Sequence, residues 1–171
     1  MKASKITIKT QEDIAKLRIS GRLAAEVLAM IGEYVKPGVT TEYLDDICNE
    51  YIIKTLKVIP ANIGYYGYTK TTCISPNEVV CHGIPSAKTI LEDGDIINID
   101  VAIIKDGYYG DTSRMYYVGT VKPEAKKLVD NALPLFIKMG GVTGSTKNSW
   151  LEFDEEAPQR QWDYPFGWAP H

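Results

Sequence analysis

The chain has 171 residues, which is enough for one domain with a buried core. Its 44% hydrophobic and 24% charged residues are typical of a globular protein, and the net charge of -3 argues against nucleic-acid binding. No apolar run reaches the roughly 20 residues of a membrane span, and the N-terminus lacks the apolar segment of a signal peptide. The three cysteines Cys48, Cys73 and Cys81 have no zinc-finger spacing, so reduced thiols and a cytoplasmic location are predicted.

Two amphipathic helices are predicted near the N-terminus. The first begins after Thr10, because Thr10 and Asp13 have the spacing of a capping box, and it ends before Pro37-Gly38. The second begins at Thr40 or Thr41. Its apolar face is formed by Leu44, Ile47, Cys48, Tyr51 and Ile52. This pattern makes Cys48 a packing residue, and the two helices are expected to cover one side of a sheet.

The middle of the chain changes from helical to extended patterns. Residues 61–68 are rich in glycine and tyrosine, which fits a pocket lining and a surface loop equally well. Residues 74–84 are predicted to form a strand broken by Ser75-Pro76-Asn77, and residues 92–95 a tight turn. Helices followed by antiparallel strands indicate an α+β fold.

The strongest local signal is a β-hairpin within residues 96–115. Asp106-Gly107 separates two β-rich runs, and both turn residues tolerate positive φ. With these residues as the turn, Ala102 faces Asp111. Side chains alternate between faces, so Asp100 and Asp111 become diagonal neighbours on one face, with Cβ atoms roughly 7 Å apart or less.

Two aspartates on a hairpin are either a solvated face or part of a metal site. Asp100 lies inside an Ile/Val run and is predicted to be buried, where a carboxylate requires a cation or several donors. Asp111 adds a second buried charge, and the two repel unless a positive charge lies between them. The pattern therefore favours a divalent cation. His82 has either a structural role or a role in proton transfer and substrate binding.

Beyond Val118 the pattern weakens. Pro123 is predicted to begin a short helix that runs through Leu133 and is closed by Pro134. Residues 131–171 contain all three tryptophans and show no helix or strand period. We therefore divide the chain into residues 1–130 and an unmatched tail, residues 131–171, whose composition fits disorder or a frameshift, truncation or fusion junction.

Three motifs together resemble the type I methionine aminopeptidase family. They are Cys81-His82-Gly83-Ile84-Pro85, the segment 93–100 that ends in Asp100, and the segment 107–115 that contains Asp111. The resemblance covers about residues 4–130 and implies the pita-bread fold, in which two α+β halves surround a curved antiparallel sheet. Residues 1–130 would form the N-terminal half of that catalytic domain, with two helices and the first half of the sheet. The implied activity is removal of the initiator methionine when the second residue is small.

The resemblance also implies roles for individual residues. Asp100 would bind one metal ion, Asp111 would bridge two, and His82 would act as a catalytic histidine that contacts the substrate near the scissile bond. The site would hold two divalent ions, of Co, Mn, Fe, Zn or Ni. These ions would activate a bridging hydroxide and stabilise the oxyanion. Expected partners are nascent polypeptide N-termini, including those presented at the ribosome. A full-length member would be a monomer that binds neither nucleic acid nor membranes.

The same resemblance assigns a substrate pocket and a second ion site. Tyr65, Tyr68 and Cys73 would line the pocket for the methionine side chain, and aromatic and sulfur-bearing groups suit an unbranched thioether. Asn77 and Val79 would lie beside a monovalent cation.

The sequence departs from the family in its C-terminal part. The family requires one further His and two Glu as metal ligands, and a second catalytic His. Downstream of residue 130 the sequence offers only His171 and three glutamates in no recognisable motif, Glu152, Glu155 and Glu156. We therefore expect the isolated chain to have little or no aminopeptidase activity.

Two alternative functions remain open. One is a catalytically silent pita-bread-like module that binds peptides or proteins; the paired aspartates argue against it, because a pure binder has no need for them. The other is a proline-specific aminopeptidase, and the short N-terminal region and the Tyr/Cys pocket favour methionine over it.

Overall fold

A computed structural model describes residues 8–138, with the side chains of residues 8–131. The helices of this part of the chain are α1 (Gln11–Ile31), α2 (Thr41–Glu50) and α3 (Pro123–Lys138), and its strands are β1 (Ile59–Pro60), β2 (Thr72–Pro76), β3 (Ile96–Lys105) and β4 (Tyr108–Tyr117). Short helical turns lie at Gly32–Tyr34, Tyr51–Thr55 and Tyr65–Gly67. None of the helices within residues 8–138 is long and apolar enough to cross a membrane.

Both N-terminal helices begin at the predicted caps. The hydroxyl of Thr10 accepts a hydrogen bond from the backbone N–H of Asp13 (3.2 Å), and the Asp13 carboxylate accepts one from the N–H of Thr10 (2.8 Å). This reciprocal pair is a capping box. The hydroxyl of Thr40 accepts from the N–H of Tyr43 (3.1 Å) and caps α2. Cys48 is fully buried on α2, which confirms it as a packing residue.

The four strands form one antiparallel sheet centred on β3. β4 pairs with β3 along its whole length, and β1 and β2 pair with opposite ends of the other edge of β3. Asp106 (φ 51°) and Gly107 (φ 83°) form the turn between β3 and β4, as predicted. β1 was not predicted, because a two-residue strand leaves no period in the sequence.

The two faces of the sheet have different environments. Ile97, Ile99, Val101 and Ile103 of β3 are fully buried. On this face α1 packs across β3 and β4, and α2 packs against β2, which confirms that the helices cover one side of the sheet. The alternate residues of β3, which include Asp100, are only partly buried. The second face is therefore the one on which a site can form.

The backbones of α1 and β4 touch directly at Gly110. A Cβ atom at Gly110 would overlap the carbonyl group of Ser20 and lie 2.8 Å from the backbone nitrogen of Gly21. The Ser20 hydroxyl donates a hydrogen bond to the carbonyl oxygen of Tyr108 (2.9 Å) in the same contact. Glycine is therefore required at position 110, and this contact fixes the strand that carries Asp111.

Two predicted elements differ in the structure. The strand over residues 74–84 is wrong beyond Pro76, because Asn77 has φ 48° and turns the chain back. The returning segment lies beside β2, where the N–H of Ile74 donates to the carbonyl oxygen of Gly83 (2.8 Å). α3 does not end at Pro134 but continues to Lys138. The fixed φ of proline is compatible with a helix, but an interior proline is unfavourable because it removes one hydrogen bond and crowds the carbonyl group four residues earlier.

Replacing Asp13 with asparagine is expected to lower the melting temperature at pH 7 and to reduce the loss of stability in acid. The Asp13 carboxylate accepts hydrogen bonds from the Tyr108 hydroxyl (2.6 Å) and from Thr10. These bonds lower the pKa of Asp13 from its usual 3.8 to about 2, with the Tyr108 bond as the largest cause. A lowered native pKa stabilises the fold above the unfolded pKa, and this contribution disappears as the pH falls from about 4 to about 2.

Thermal denaturation from pH 7 to pH 2 measures this effect. The melting temperatures of the unsubstituted chain and of Asp13→Asn should differ at pH 7 and converge near pH 2. Asp46→Asn, at an exposed position on α2, serves as the control. A difference that persists unchanged at pH 2 would contradict the assignment to the carboxylate.

Candidate active site

A cavity of about 560 Å³ opens on the face of the sheet that the helices leave free. Its lining includes six residues that the sequence singled out: Tyr65, Tyr68, Cys73, His82, Asp100 and Asp111. The structure therefore brings together residues that are up to 46 positions apart in the sequence. Sequence reasoning missed five further lining residues, which are Asn62, Tyr66, Gly67, Thr69 and Ile84. Four of these lie in or next to the glycine- and tyrosine-rich segment, whose composition was the available signal.

The floor of the cavity is formed by neighbouring residues of β2, β3 and β4. Cys73 pairs directly with Asp100 across β2 and β3. Asp100 pairs with Ser113 and Ala102 with Asp111 across β3 and β4, as the turn at Asp106-Gly107 predicts. Cys73, Asp100 and Asp111 therefore lie on one face, and the predicted diagonal pairing of the two aspartates is confirmed.

The two carboxyl groups interact with each other. Burial, as the largest cause, and the neighbouring carboxyl group of Asp111 together raise the pKa of Asp100 to about 6, against the opposing influence of His82. Asp100 is half-buried, but Asp111 is exposed at the cavity, so the prediction that both are buried is wrong for Asp111. Asp100 lies on the central strand β3, which has paired strands on both sides, whereas Asp111 lies on β4, which within residues 8–138 pairs with β3 alone.

His82 reaches the cavity because the chain doubles back after β2. It adopts φ 55°, a backbone conformation that non-glycine residues rarely occupy. The next residue, Gly83, donates its N–H to the Ser75 hydroxyl (3.1 Å), and a Cβ at Gly83 would overlap the carbonyl oxygen of Ile74. This close packing against β2 holds the exposed imidazole at the cavity beside Asp100. Its catalytic role stays a prediction.

Tyr68 and Cys73 form a wall of the cavity next to the aspartates. The Tyr68 hydroxyl donates to the carbonyl oxygen of Thr72 (2.8 Å) and lies 3.4 Å from that of Gly83. Burial raises the pKa of Tyr68 and of the Cys73 thiol, so both stay protonated at neutral pH. The wall therefore presents an uncharged aromatic ring and a neutral sulfur to a ligand.

The mouth of the cavity is formed by two exposed tyrosines. The rings of Tyr65 and Tyr66 pack edge to face with centroids 4.7 Å apart. Tyr66 adopts φ 45° between Gly64 (φ 86°) and Gly67 (φ 82°), which gives the loop a tight left-handed turn. The side-chain amide of Asn62 anchors this loop by donating to the carbonyl oxygen of Thr71 (3.0 Å).

Comparison with known proteins identifies the family. The model of metallopeptidase family M24 matches residues 15–170. This chain belongs to metallopeptidase family M24. Its M24 relatives include methionine aminopeptidase of Escherichia coli strain K12, 62% identical over 114 residues, and that of Salmonella typhimurium strain LT2, 57% identical over 137 residues. These matches cover 67% and 78% of this chain, but only 43% and 52% of the relatives. The chain thus spans about half the length of the curated relatives it matches.

Solved M24 structures show the same fold. Methionine aminopeptidase from Rickettsia prowazekii matches with a TM-score of 0.75 at 49% identity, over 78% of this chain and 53% of that one. The enzyme from Thermotoga maritima matches with a TM-score of 0.74 at 36% identity, over the same 78% and 53%. A structure of Escherichia coli aminopeptidase P, at 22% identity, shares the fold alone. The chain therefore has a partial pita-bread fold, as predicted.

M24 proteins are metallopeptidases, which implies divalent metal ions. Asp100 and Asp111 fit part of such a site, because convergent carboxylate oxygens are ligands that divalent cations accept. Within residues 8–138, no three His, Cys, Asp or Glu side chains are grouped so that they could hold a metal ion. His171, Glu152, Glu155 and Glu156 lie outside the described residues. Metal binding by Asp100 and Asp111 stays a prediction.

The predicted monovalent-cation site lies away from the cavity. The side-chain amide of Asn77 donates to the Asp95 carboxylate (2.8 Å), and its oxygen accepts from the N–H of Ile96 (3.1 Å). These bonds fix the turn after β2 to the start of β3. The N–H of Val79 donates to the carbonyl oxygen of Pro76 (3.0 Å) within the same turn. Cation binding at Asn77 and Val79 stays a prediction.

Proposed function

We propose that this chain provides part of the active site of a methionine aminopeptidase, which removes the N-terminal methionine from nascent proteins in a metal-dependent reaction. The observation that carries the proposal is the convergence of Asp100 and Asp111 on one cavity with Tyr68 and Cys73. Relatives named methionine aminopeptidase, at 57% to 62% identity over 114 to 137 residues, support it.

The residues of the cavity fit the two ends of a methionine residue. The cavity of about 560 Å³ is within the range of small-molecule sites, and its Tyr68–Cys73 wall suits an unbranched thioether. Asp100 and Asp111 would hold divalent ions beside that wall. Bound ions would supply an activated water nucleophile and stabilise negative charge on the substrate carbonyl oxygen. His82, exposed at the same cavity, would hydrogen-bond the peptide near the scissile bond.

Protection of Cys73 from alkylation tests the pocket directly. Cys73 lines the cavity and is 9% exposed, Cys81 is exposed and Cys48 is fully buried in the core, so mass spectrometry separates a pocket thiol from two internal references. Methionine and norleucine should slow the reaction of Cys73 with iodoacetamide, and valine should not, because its β-branch does not fit an unbranched pocket. Equal protection by valine, or none by methionine, would reject the proposed pocket.

The 171-residue chain alone is expected to release little or no methionine from a Met-Ala peptide. Two carboxylates without further ligands bind divalent ions weakly and do not fix two ions at a set separation. The measurement is methionine release with Mn(II) or Co(II), with the full-length Escherichia coli relative as a positive control. Rapid, metal-dependent release by the purified chain, lost in Asp111→Asn, would show that the ligand set is complete after all.

The substrates would be nascent polypeptide N-termini in the cytoplasm, including those presented at the ribosome. The site would hold two divalent ions, of Co, Mn, Fe, Zn or Ni. The full-length protein would act as a monomer and would bind neither nucleic acid nor membranes.

A silent binding module is the second candidate, favoured by the two-ligand set within residues 8–138. Such a module would bind a Met-Ala peptide with the same affinity in the presence and absence of Mn(II). An enzyme-derived site would bind the peptide more tightly when the metal is present. Aminopeptidase P, at 22% identity and a TM-score of 0.62, shares the fold alone, so no specific observation favours the proline-specific alternative.

A further inference from the structure

Asp45 is a buried carboxylate outside the cavity. It lies in the middle of α2, only 3% of its surface is exposed, and it accepts hydrogen bonds from two consecutive residues. These come from the N–H of Thr72 (2.7 Å), the hydroxyl of Thr72 (2.7 Å) and the N–H of Thr71 (3.3 Å). A charge buried this deeply is costly unless its hydrogen bonds are satisfied, so Asp45 and the threonine pair are strongly tied together.

Thr71 and Thr72 connect Asp45 to the wall of the cavity. The carbonyl oxygen of Thr71 accepts from the side-chain amide of Asn62 (3.0 Å), and that of Thr72 accepts from the Tyr68 hydroxyl (2.8 Å). Asn62 and Tyr68 both line the cavity. The next residue along β2 is Cys73, which also lines the cavity. Thr71 and Thr72 thus donate hydrogen bonds to Asp45 of α2, and their carbonyl oxygens accept hydrogen bonds from Asn62 and Tyr68. Thr72 is also the sequence neighbour of Cys73.

We propose that Asp45 is a positioning residue for the side-chain pocket: through Thr71 and Thr72 it fixes Asn62, Tyr68 and Cys73 in the arrangement that receives the substrate side chain. Asp45 does not touch the ligand. The inference rests on the proposed function for the identity of the ligand, while the geometry that it describes is independent of that function. Loss of the Asp45 hydrogen bonds therefore loosens the pocket wall before it affects the core beneath α2.

Differential alkylation of the three cysteines tests this assignment in the full chain. In Asp45→Asn, an NH₂ group replaces one acceptor oxygen and faces either the N–H donor of Thr71 or the two donors of Thr72. We expect iodoacetamide to react with Cys73 about tenfold faster than in the unsubstituted chain. Cys48, one turn away from Asp45 on α2, should stay protected, and the exposed Cys81 should react at an unchanged rate. The concentration of methionine that half-protects Cys73 should rise.

Two further variants separate positioning from other effects. The charge of Asp45 contributes to the raised pKa of Cys73, so its removal could by itself speed alkylation. Thr72→Val keeps that charge and removes only the hydroxyl bond, so a faster reaction of Cys73 in this variant reports position. Asp46→Asn removes an exposed charge from the same helix and should change nothing.

An unchanged Cys73 rate in Asp45→Asn and Thr72→Val would overturn the positioning role of Asp45, and so would exposure of Cys48 together with Cys73, which would show a general role in folding. If Asp45→Asn does not fold, the Thr72→Val result decides alone. If the alkylation rate of Cys73 depends on Asp45 but methionine does not protect Cys73, the proposed function is rejected. The positioning role of Asp45 would still hold in that case.

Discussion

Replacing Gly110 with alanine is expected to reduce the free energy of unfolding by about 3 kcal/mol, at the upper end of typical overpacking costs. The added methyl group would overlap the carbonyl of Ser20, which is rigid backbone in the middle of α1. α1 packs on the same face as the fully buried Ile97, Ile99 and Val101, so it cannot move away without exposing the core. Urea denaturation followed by circular dichroism measures the change.

Gly107 offers a matched control on the same hairpin. It has φ 83° and nothing within 4 Å of an added Cβ, and asparagine tolerates this backbone conformation. Gly107→Asn should therefore cost well under 1 kcal/mol, in line with the small penalties for asparagine in left-handed turns. Equal denaturation midpoints for Gly110→Ala and Gly107→Asn would show that the backbone contact between α1 and β4 does not carry the stability assigned to it.

Replacing Asp111 with asparagine is expected to have opposite effects in the absence and presence of a divalent metal. Without metal, the substitution removes one of two like charges on neighbouring strands and should stabilise the chain by about 0.5–1 kcal/mol. With Mn(II), the unsubstituted chain should gain stability by binding the ion, and the variant should not. Thermal denaturation measures both effects. The melting temperature of Asp111→Asn should be higher than that of the unsubstituted chain without metal and lower in millimolar Mn(II).

The control for this reversal is Asp106→Asn in the hairpin turn. Asp106 is an exposed acid whose ion pair with Lys105 (3.2 Å) contributes little to stability. Its substitution should leave the response to Mn(II) unchanged. A metal-induced stabilisation of Asp111→Asn as large as that of the unsubstituted chain would place the ion elsewhere.

Local chemistry made several features of the fold predictable. The hairpin register follows from one Asp-Gly turn, because the turn fixes every opposite pair, including Ala102 with Asp111. The capping residues Thr10 and Thr40 are equally local, since each cap involves a partner three residues away. These interactions leave a pattern in the sequence because donor and acceptor are close along the chain.

The remaining features depend on contacts between distant residues. The return of the chain to β2 rests on a bond between Ile74 and Gly83 and on the left-handed backbone of Asn77, which no period encodes. The exposure of Asp111 depends on what covers its face of the sheet. Asp45 occurs among polar residues of an amphipathic helix, where a buried acid cannot be distinguished from a solvated one. Its partners Thr71 and Thr72 become visible only in three dimensions.

We propose that Asp100 and Asp111 together form a divalent-cation site on the β3–β4 hairpin. Titration of the chain with Mn(II), followed by the electron paramagnetic resonance signal of the free ion, tests it most directly. We predict weak binding, with a Kd of about 10⁻⁴ M or higher for so few ligands, that is lost in Asp100→Asn and in Asp111→Asn and retained in Asp106→Asn. Mn(II) binding that is unchanged in both Asp100→Asn and Asp111→Asn would contradict the claim.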